Sequence, residues 1–186
     1  MTPAFFTIGH SNRTLEEFTA LLREARIERV ADIRKTPKSR TNPQFNQDAL
    51  PRGLAASGIA YEHIAALGGR RSKTKDIPSD LNGFWANASF HNYADYALSD
   101  EFSAGLAQLR DDGHRLCTAV MCSEAVWWRC HRRIVTDYLI AFGENVSHIM
   151  GHGRPEAARL TPGAVIRPDG TIVYPATSAE NCGARD

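Results

Sequence analysis

The sequence predicts an α/β fold: a single domain with a mostly parallel sheet flanked by helices and a C-terminal hairpin. Short strand-like apolar segments alternate along the chain with segments of helical period. The first three segments are strand, helix and strand within about 30 residues, which is the pattern of a βαβ unit. The length of 186 residues suits one ordinary domain. We therefore assign residues 1–175 to this domain and predict a disordered tail over residues 176–186.

The opening unit has the clearest pattern. "AFFTIG" predicts a buried strand, and Leu15, Phe18 and Leu22 then recur at helical spacing. Thr14 with Glu17 three residues later is the signature of a capping box at the start of that helix. "ERVADIRK" predicts the second strand.

Turn residues and periodicity divide the rest of the chain. Pro37 and Pro43 predict an extended loop, followed by a short helix near residues 47–54. The segments "IAYEHI", "RLCTAVMC" and "NVSHIM" predict three further strands, and "FHNYADYALSDEFSAGLAQLR" predicts a helix in two pieces. "WWRCHRRIVTDYLIAF" predicts another helix. "AVIRPDGTIVYP" predicts the C-terminal hairpin, because a glycine turn lies between two apolar pairs.

Composition narrows the class of protein. The 42% hydrophobic and 23% charged fractions are typical of a globular protein in water. The first ten residues lack the basic region of a signal peptide, and no apolar run reaches the roughly 18 residues that a membrane helix needs. We expect a cytoplasmic protein without a membrane partner. Four cysteines in a chain of this size predict reduced thiols rather than a disulfide framework.

Charge is distributed unevenly along the chain. Residues 33–75 contain nine Lys or Arg against two acids, although the whole chain has a net charge of only +1. A local basic segment in a nearly neutral protein indicates an anionic partner, such as a nucleotide or nucleic acid. The alternative is a solvated basic loop without a ligand.

Polar, titratable residues follow the predicted strands at the point where each one ends. Since the carboxyl ends of parallel strands meet at one edge of a sheet, where ligands bind in α/β proteins, four such ends indicate a site. The residues concerned are His10 and Ser11, Asp32 and Arg34, Cys122 to Glu124, and His148. A purely structural ion network among Asp32, Arg34 and His10 is the alternative.

The stretch "MCSEAVWWRCHRR", residues 121–133, is the densest group of reactive side chains. Cys130 lies four residues before Ile134, and His131 lies four before Val135. We therefore expect both on the buried face of a helix, near its start and facing Cys122 and Glu124.

Several chemistries suit these residues. We favour acid–base catalysis by Glu124, Asp32 and a histidine on a bound anion. A nucleophilic Cys122 is an alternative, although the six residues between it and Arg129, none of them glycine, differ from the five of phosphatase loops. Zinc is a further alternative, but adjacent Cys and His on a helix diverge by about 100°. A non-catalytic clamp would instead grip nucleic acid with the basic loops and stack bases on Phe45, Tyr61 and Trp85.

Several ordered motifs resemble one known family. "TIGHSNRTLEEF", "VADIRKTPKSR", "YEHIAALGG" and "MCSE…CHRR" followed by "VSHI" are similar to the domain of unknown function 488 family, over about residues 6–150. The resemblance implies a compact α/β domain with a shared set of strand-end residues, and it implies no reaction. One segment departs from the family's pattern: Ala125 to Trp128 stand where the family usually has an Asp-Pro-like turn.

We therefore predict an enzyme that acts on a phosphate-bearing, nucleotide-like or nucleic-acid substrate, with a nucleic-acid-binding module or a structural metal-binding domain as alternatives. No cofactor and no metal ligand are assigned. The predicted catalytic residues are Cys122, Glu124, His131, Asp32 and His10. The predicted substrate-binding residues are Ser11, Arg34, Ser39, Arg40, Cys130 and Arg132, and those of both groups fall on the family's motifs.

Overall fold

The computed structural model describes residues 5–176 of the chain. Its longer strands are β1 (Phe5–Gly9), β2 (Arg29–Asp32), β3 (Ala60–His63), β4 (Thr118–Cys122) and β5 (Val146–Ile149), and its short strands are β6 (Glu156–Ala157), β7 (Val165–Ile166) and β8 (Ile172–Val173). Its helices are α1 (Leu15–Glu24), α2 (Leu50–Ala55), α3 (Ala88–Tyr96), α4 (Asp100–Gly113) and α5 (Arg132–Ala141).

A six-stranded sheet in the order β3-β2-β4-β1-β5-β6 forms the centre of the fold. The pairs among β1 to β5 are all parallel, and β6 adds an antiparallel edge. The C-terminal hairpin consists of the antiparallel pair β7 and β8. The predicted fold class is thus confirmed. The predicted tail falls outside the described residues except for Ala176.

Successive residues of a strand point to opposite faces of the sheet, and each face has its own hydrophobic core. On β4, Ala119 and Met121 pack with α1 and α2, whereas Val120 and Cys122 pack with α3, α4 and α5. Cys122 is therefore anchored in the larger core, although it ends its strand at the carboxyl edge.

The neighbouring strands β1 and β4 send the chain to opposite sides of the sheet. The chain leaves β1 for α1 on one face and leaves β4 for α5 on the other. This arrangement opens a crevice above the two strand ends, which is where open α/β sheets bind their ligands. Gly9 and Cys122 are paired in register at that point.

The helix after β4 starts later than predicted. Trp127–Arg129 form a short 3-10 turn, Cys130 has an extended backbone with φ −125° and ψ 144°, and α5 begins only at Arg132. The expectation that Cys130 and His131 both lie on the buried face of this helix is therefore wrong, because His131 is the N-cap of α5 and Cys130 precedes it. Within residues 5–176, no helix combines the length and the apolar character needed to cross a bilayer.

Candidate functional site

A cavity of about 600 Å³ lies over the carboxyl ends of β1, β2 and β4. Loops after all three strands contribute to its wall, as do Gly69 and Arg70 and the first half of α3. Among its lining residues are His10, Ser11, Arg34, Lys35, Lys38, Ser39, Gly69, Arg70, Phe90, Tyr93, Cys122, Ser123, Glu124, Arg129, Cys130 and His131.

Backbone hydrogen bonds hold the β1 and β4 loops together beneath this cavity. The His10 amide donates to the Cys122 carbonyl and the Ser11 amide donates to the Ser123 carbonyl, both at 3.0 Å. The chain then crosses so close to Gly9 that a Cβ atom on that residue would overlap the Glu124 carbonyl. A glycine is required at this position because any side chain would push the Cys122 loop away from β1.

Arg132 fixes the next part of the same loop. Its guanidinium donates from Nη1 to the Glu124 carbonyl at 2.6 Å and from Nη2 to the Ala125 carbonyl at 3.0 Å. The side chain is buried, with an exposed fraction of 1%, and it is outside the cavity lining. Arg132 thus positions Glu124 through the backbone.

Three reactive side chains meet at the base of the cavity. The Sγ atoms of Cys122 and Cys130 lie 3.9 Å and 3.8 Å from Nδ1 of His131. The Nε2 atom of His131 lies 3.0 Å from the carbonyl oxygen of Ile33. Because a carbonyl oxygen only accepts hydrogen bonds, Nε2 carries the proton of the neutral ring, and the Nδ1 lone pair faces the two sulfurs.

The two cysteines differ in acidity. A hydrogen bond from Cys130, together with the positive charge that His131 carries when its ring is protonated, holds the pKa of the Cys122 thiol well below its ordinary value, against the effect of burial. Burial, and then the hydrogen bond to Cys122, raises the pKa of Cys130 well above its ordinary value. The two thiols are therefore coupled, and Cys122 is the more acidic of the pair.

A second group of polar residues supports the wall of the cavity from behind. Asp32 is fully buried and accepts hydrogen bonds from Arg34 Nε at 2.9 Å, from Arg34 Nη2 at 2.6 Å and from the Tyr61 hydroxyl at 2.8 Å. Arg34 also donates from Nη1 to Nε2 of His10 at 3.2 Å. The Asp32 carboxylate lies outside the cavity lining, and one edge of Arg34 reaches the cavity.

His10 is the neutral member of this network. Its Nδ1 donates to the Ser11 carbonyl at 2.8 Å, which leaves Nε2 to accept from Arg34. Burial lowers the pKa of His10, and the charge of Arg34 lowers it further. The ion network considered from the sequence is therefore present, and both ring nitrogens of His10 are occupied within it.

The remaining predicted residues are divided among several places. Ser11, Ser39 and Glu124 line the main cavity, whereas Arg40 lines a neighbouring depression with Lys38 and Ser39. His148 does not reach the cavity, because it is packed between the Thr7 hydroxyl, 2.8 Å from its Nδ1, and the ring of Trp127, whose centroid is 4.4 Å away.

Several cavity residues were not among the predicted site residues, although the basic loops were expected to bind an anionic partner. Lys35, Lys38, Arg70 and Arg129 present exposed cations to it. Gly69 lies against the His131 ring, so closely that a Cβ atom would stand 2.7 Å from Nδ1. The signals were the basic segment and the Gly68-Gly69 pair, which do not indicate by themselves which side chains face the site.

The family model "Domain of unknown function DUF488" matches residues 14–139, which is more than half of the chain. The protein therefore belongs to this family, as the sequence motifs predicted. The match names no activity and no ligand. Comparison with curated proteins and with solved structures gives no match.

Proposed function

We propose that this member of the DUF488 family is an enzyme that acts on a phosphate-bearing substrate of nucleotide or nucleic-acid type. One observation gives the proposal its strongest support. The same cavity combines a cationic rim with an acidic cysteine thiol and an imidazole at its base. A phosphate group held by the rim would bring the rest of the substrate against Cys122 and His131.

The charge of the rim favours an anionic ligand. Lys35, Lys38, Arg70 and Arg129 are exposed around the opening, and Glu124 is the one acid among the cavity-lining residues of the described chain. Salt bridges to acids engage none of these four cations within residues 5–176. Such side chains are available for charge-assisted hydrogen bonds to phosphate oxygens.

The residues at the base divide into reacting and positioning groups in this proposal. Cys122 and His131 face the ligand, and Glu124 supplies a carboxylate for proton transfer in an otherwise cationic cavity. Asp32 and His10, which we predicted as catalytic, act instead by positioning Arg34, because their polar atoms are occupied by Arg34, Tyr61 and backbone groups.

A panel assay tests the proposal. Nucleotides and short single-stranded oligonucleotides are screened for binding by calorimetry or fluorescence anisotropy, and for turnover by chromatography. We expect Glu124→Gln and Cys122→Ser to lose about 10²- to 10⁴-fold in turnover, which is the range of acid–base contributions, while retaining binding. Lys38→Gln with Arg129→Gln should weaken binding and reduce the salt slope for the single-stranded oligonucleotides by about 0.7 per lost contact.

Arg52→Gln is the matched control for the rim variants. Arg52 is an exposed cation of α2 that hydrogen-bonds the Asp48 carbonyl and lies outside the cavity. Loss of affinity in this variant equal to that of the rim variants would show a diffuse charge effect and contradict the proposed pocket. The absence of both binding and turnover across the panel would also contradict the proposal.

A binding module without catalysis is the second candidate, supported by Trp128. Its side chain is 47% exposed next to Arg129, and such a ring can stack on a nucleobase. The aromatic residues that we expected in this role are not available. Phe45 is buried and stacked on His10, Trp85 is 7% exposed, and the Tyr61 hydroxyl is bonded to Asp32. Tight binding that is unchanged by Glu124→Gln, without turnover, would favour this candidate.

A further inference from the structure

The three donor atoms at the base of the cavity have the spacing of a metal site. Cys122 Sγ, Cys130 Sγ and His131 Nδ1 all lie within 4.8 Å of one another, and the two sulfur–nitrogen distances are 3.9 Å and 3.8 Å. A tetrahedral zinc ion with Zn–S of about 2.3 Å and Zn–N of about 2.0 Å separates sulfur from nitrogen by about 3.5 Å. The sulfur–nitrogen distances would shorten by a few tenths of an ångström on coordination, and the two sulfurs, which lie within 4.8 Å of each other, would move by up to about 1 Å to reach the roughly 3.8 Å of tetrahedral zinc.

The orientation of His131 is that of a metal ligand. Its Nε2 proton is used in the hydrogen bond to the Ile33 carbonyl, so the neutral ring directs the Nδ1 lone pair towards both sulfurs. Ligating histidines characteristically donate their second N–H to a carboxylate or a backbone carbonyl, which fixes the tautomer and the ring. Ile33 directly follows β2, and its amide donates to the Met121 carbonyl of β4 at 3.0 Å, which holds this residue against the sheet.

The backbone removes the sequence-based objection to zinc. That objection required Cys130 and His131 to diverge by about 100° on one helix. Cys130 has an extended conformation, with φ −125° and ψ 144°, and helix α5 begins only at Arg132. The two neighbouring side chains therefore converge on the same point.

We propose that Cys122, Cys130 and His131 bind a zinc ion with one coordination position open to the cavity. Two thiolates and an imidazole are the donor types that zinc prefers. Three protein ligands with an open fourth position are typical of catalytic zinc, whereas structural zinc has four. All three ligands line the cavity, so the open position has access to solvent and substrate. The assignment rests on the donor atoms alone and does not depend on the substrate class proposed above.

Metal titration of the full-length protein tests this proposal. The chain is stripped with a chelator, and Zn²⁺ is added in competition with a chromophoric chelator. Co²⁺ is added in parallel, because tetrahedral cobalt with thiolate ligands gives a visible band and a sulfur-to-metal charge-transfer band. We expect one equivalent of either metal, with both Co²⁺ bands present, and a higher melting temperature with zinc.

Variants of the three proposed ligands, with a matched control, test which residues bind the zinc ion. Cys122→Ser and Cys130→Ser should each lower zinc affinity by more than the roughly 10- to 100-fold that the loss of an outer hydrogen bond costs, and each should weaken the charge-transfer band. His131→Gln should do the same for affinity. The variant Cys117→Ser with Cys182→Ser removes the other two cysteines of the chain and should bind zinc as the parent does. Circular dichroism of each metal-free variant verifies the fold.

The result that would overturn the proposal is a folded protein with no stoichiometric zinc binding. Binding that persists in both ligand variants, or that is lost in the Cys117 and Cys182 control, would also overturn it. Because no substrate is present in these titrations, zinc binding without nucleotide binding would leave the zinc site intact and contradict only the proposed function. Nucleotide turnover that depends on Cys122 in a protein unable to bind zinc would support the proposed function and contradict the zinc site.

Discussion

The buried pair of Asp32 and Arg34 gives a prediction that separates a structural role from a catalytic one. Asp32 accepts four hydrogen bonds: three from the backbone amide, Nε and Nη2 of Arg34, and one from the Tyr61 hydroxyl. Asp32→Asn keeps the shape of the side chain but removes its charge and directs an NH₂ group at these donors. Arg34, which is 7% exposed, is then left as a buried charge without its partner.

The expected loss of stability is large. Breaking a buried ion pair by removing one partner costs about 3–5 kcal/mol, because the remaining charge stays desolvated. For a chain of this length, each kcal/mol lowers the melting temperature by about 2–4 °C, so a fall of about 6–20 °C is expected. Tyr61→Phe removes a single hydrogen bond to the same carboxylate and should cost about 1 kcal/mol.

Thermal and urea unfolding, followed by circular dichroism, measure both losses. Asp48→Asn is the control, since Asp48 is an exposed acid in the same region and its replacement should change stability by less than about 0.5 kcal/mol. If Asp32→Asn unfolds like the parent protein yet loses turnover, the positioning role of Asp32 is refuted and the catalytic role predicted from the sequence is restored.

Two further predictions concern Gly9 and His148, which support the loops around the site. Gly9→Ala should destabilise the protein by about 1–3 kcal/mol in urea unfolding, because its methyl group would overlap the Glu124 carbonyl, whereas Gly151→Ala, which has open space, should be neutral. Burial, and then the charge of Arg132, lowers the pKa of His148 to about 4 in the folded protein. In the unfolded chain His148 has its ordinary pKa of about 6.5, so between pH 6.5 and pH 4 the unfolded state binds a proton that the folded state does not. Stability should therefore decrease from about pH 6.5 to pH 4, by at most about 3 kcal/mol and less after solvent screening. His148→Gln should flatten this part of the urea-unfolding profile, and an unchanged profile would contradict the reasoning.

The fold was predictable because its signals are local. The capping box of Thr14 and Glu17 is present at the start of α1, and the alternation of strands and helices gave the parallel sheet. The start of α5 was not predictable in this way. Arg132 binds the carbonyls of Glu124 and Ala125 and thereby fixes the loop before the helix. The helical period of a sequence carries no information about a contact between a side chain and a backbone group elsewhere in the chain.

The site was predictable to the extent that it depends on strand ends. His10, Ser11, Arg34, Cys122 and Glu124 all follow strands, and all line the cavity. The cationic rim comes from loops, whose direction is set by tertiary contacts. The Nζ atom of Lys35, for example, donates to the Arg70 carbonyl at 3.4 Å and so joins two basic segments that lie far apart in the sequence. Composition predicted an excess of positive charge in these segments, but it could not predict that the charged side chains meet around one cavity.

Trp127 explains how the cluster of Cys122, Cys130 and His131 keeps its geometry in this chain. Trp127 stacks on His148 at a centroid distance of 4.4 Å, with the planes 11° apart, and is thus anchored on β5. Its carbonyl accepts the Cys130 amide at 3.1 Å, which ends the 3-10 turn. Because this packing against the sheet fixes the loop immediately before Cys130, the cysteine can take an extended conformation and direct its sulfur towards His131. This packing therefore accounts for how the loop before Cys130 is held, and Cys122, Cys130 and His131 meet at the end of β4.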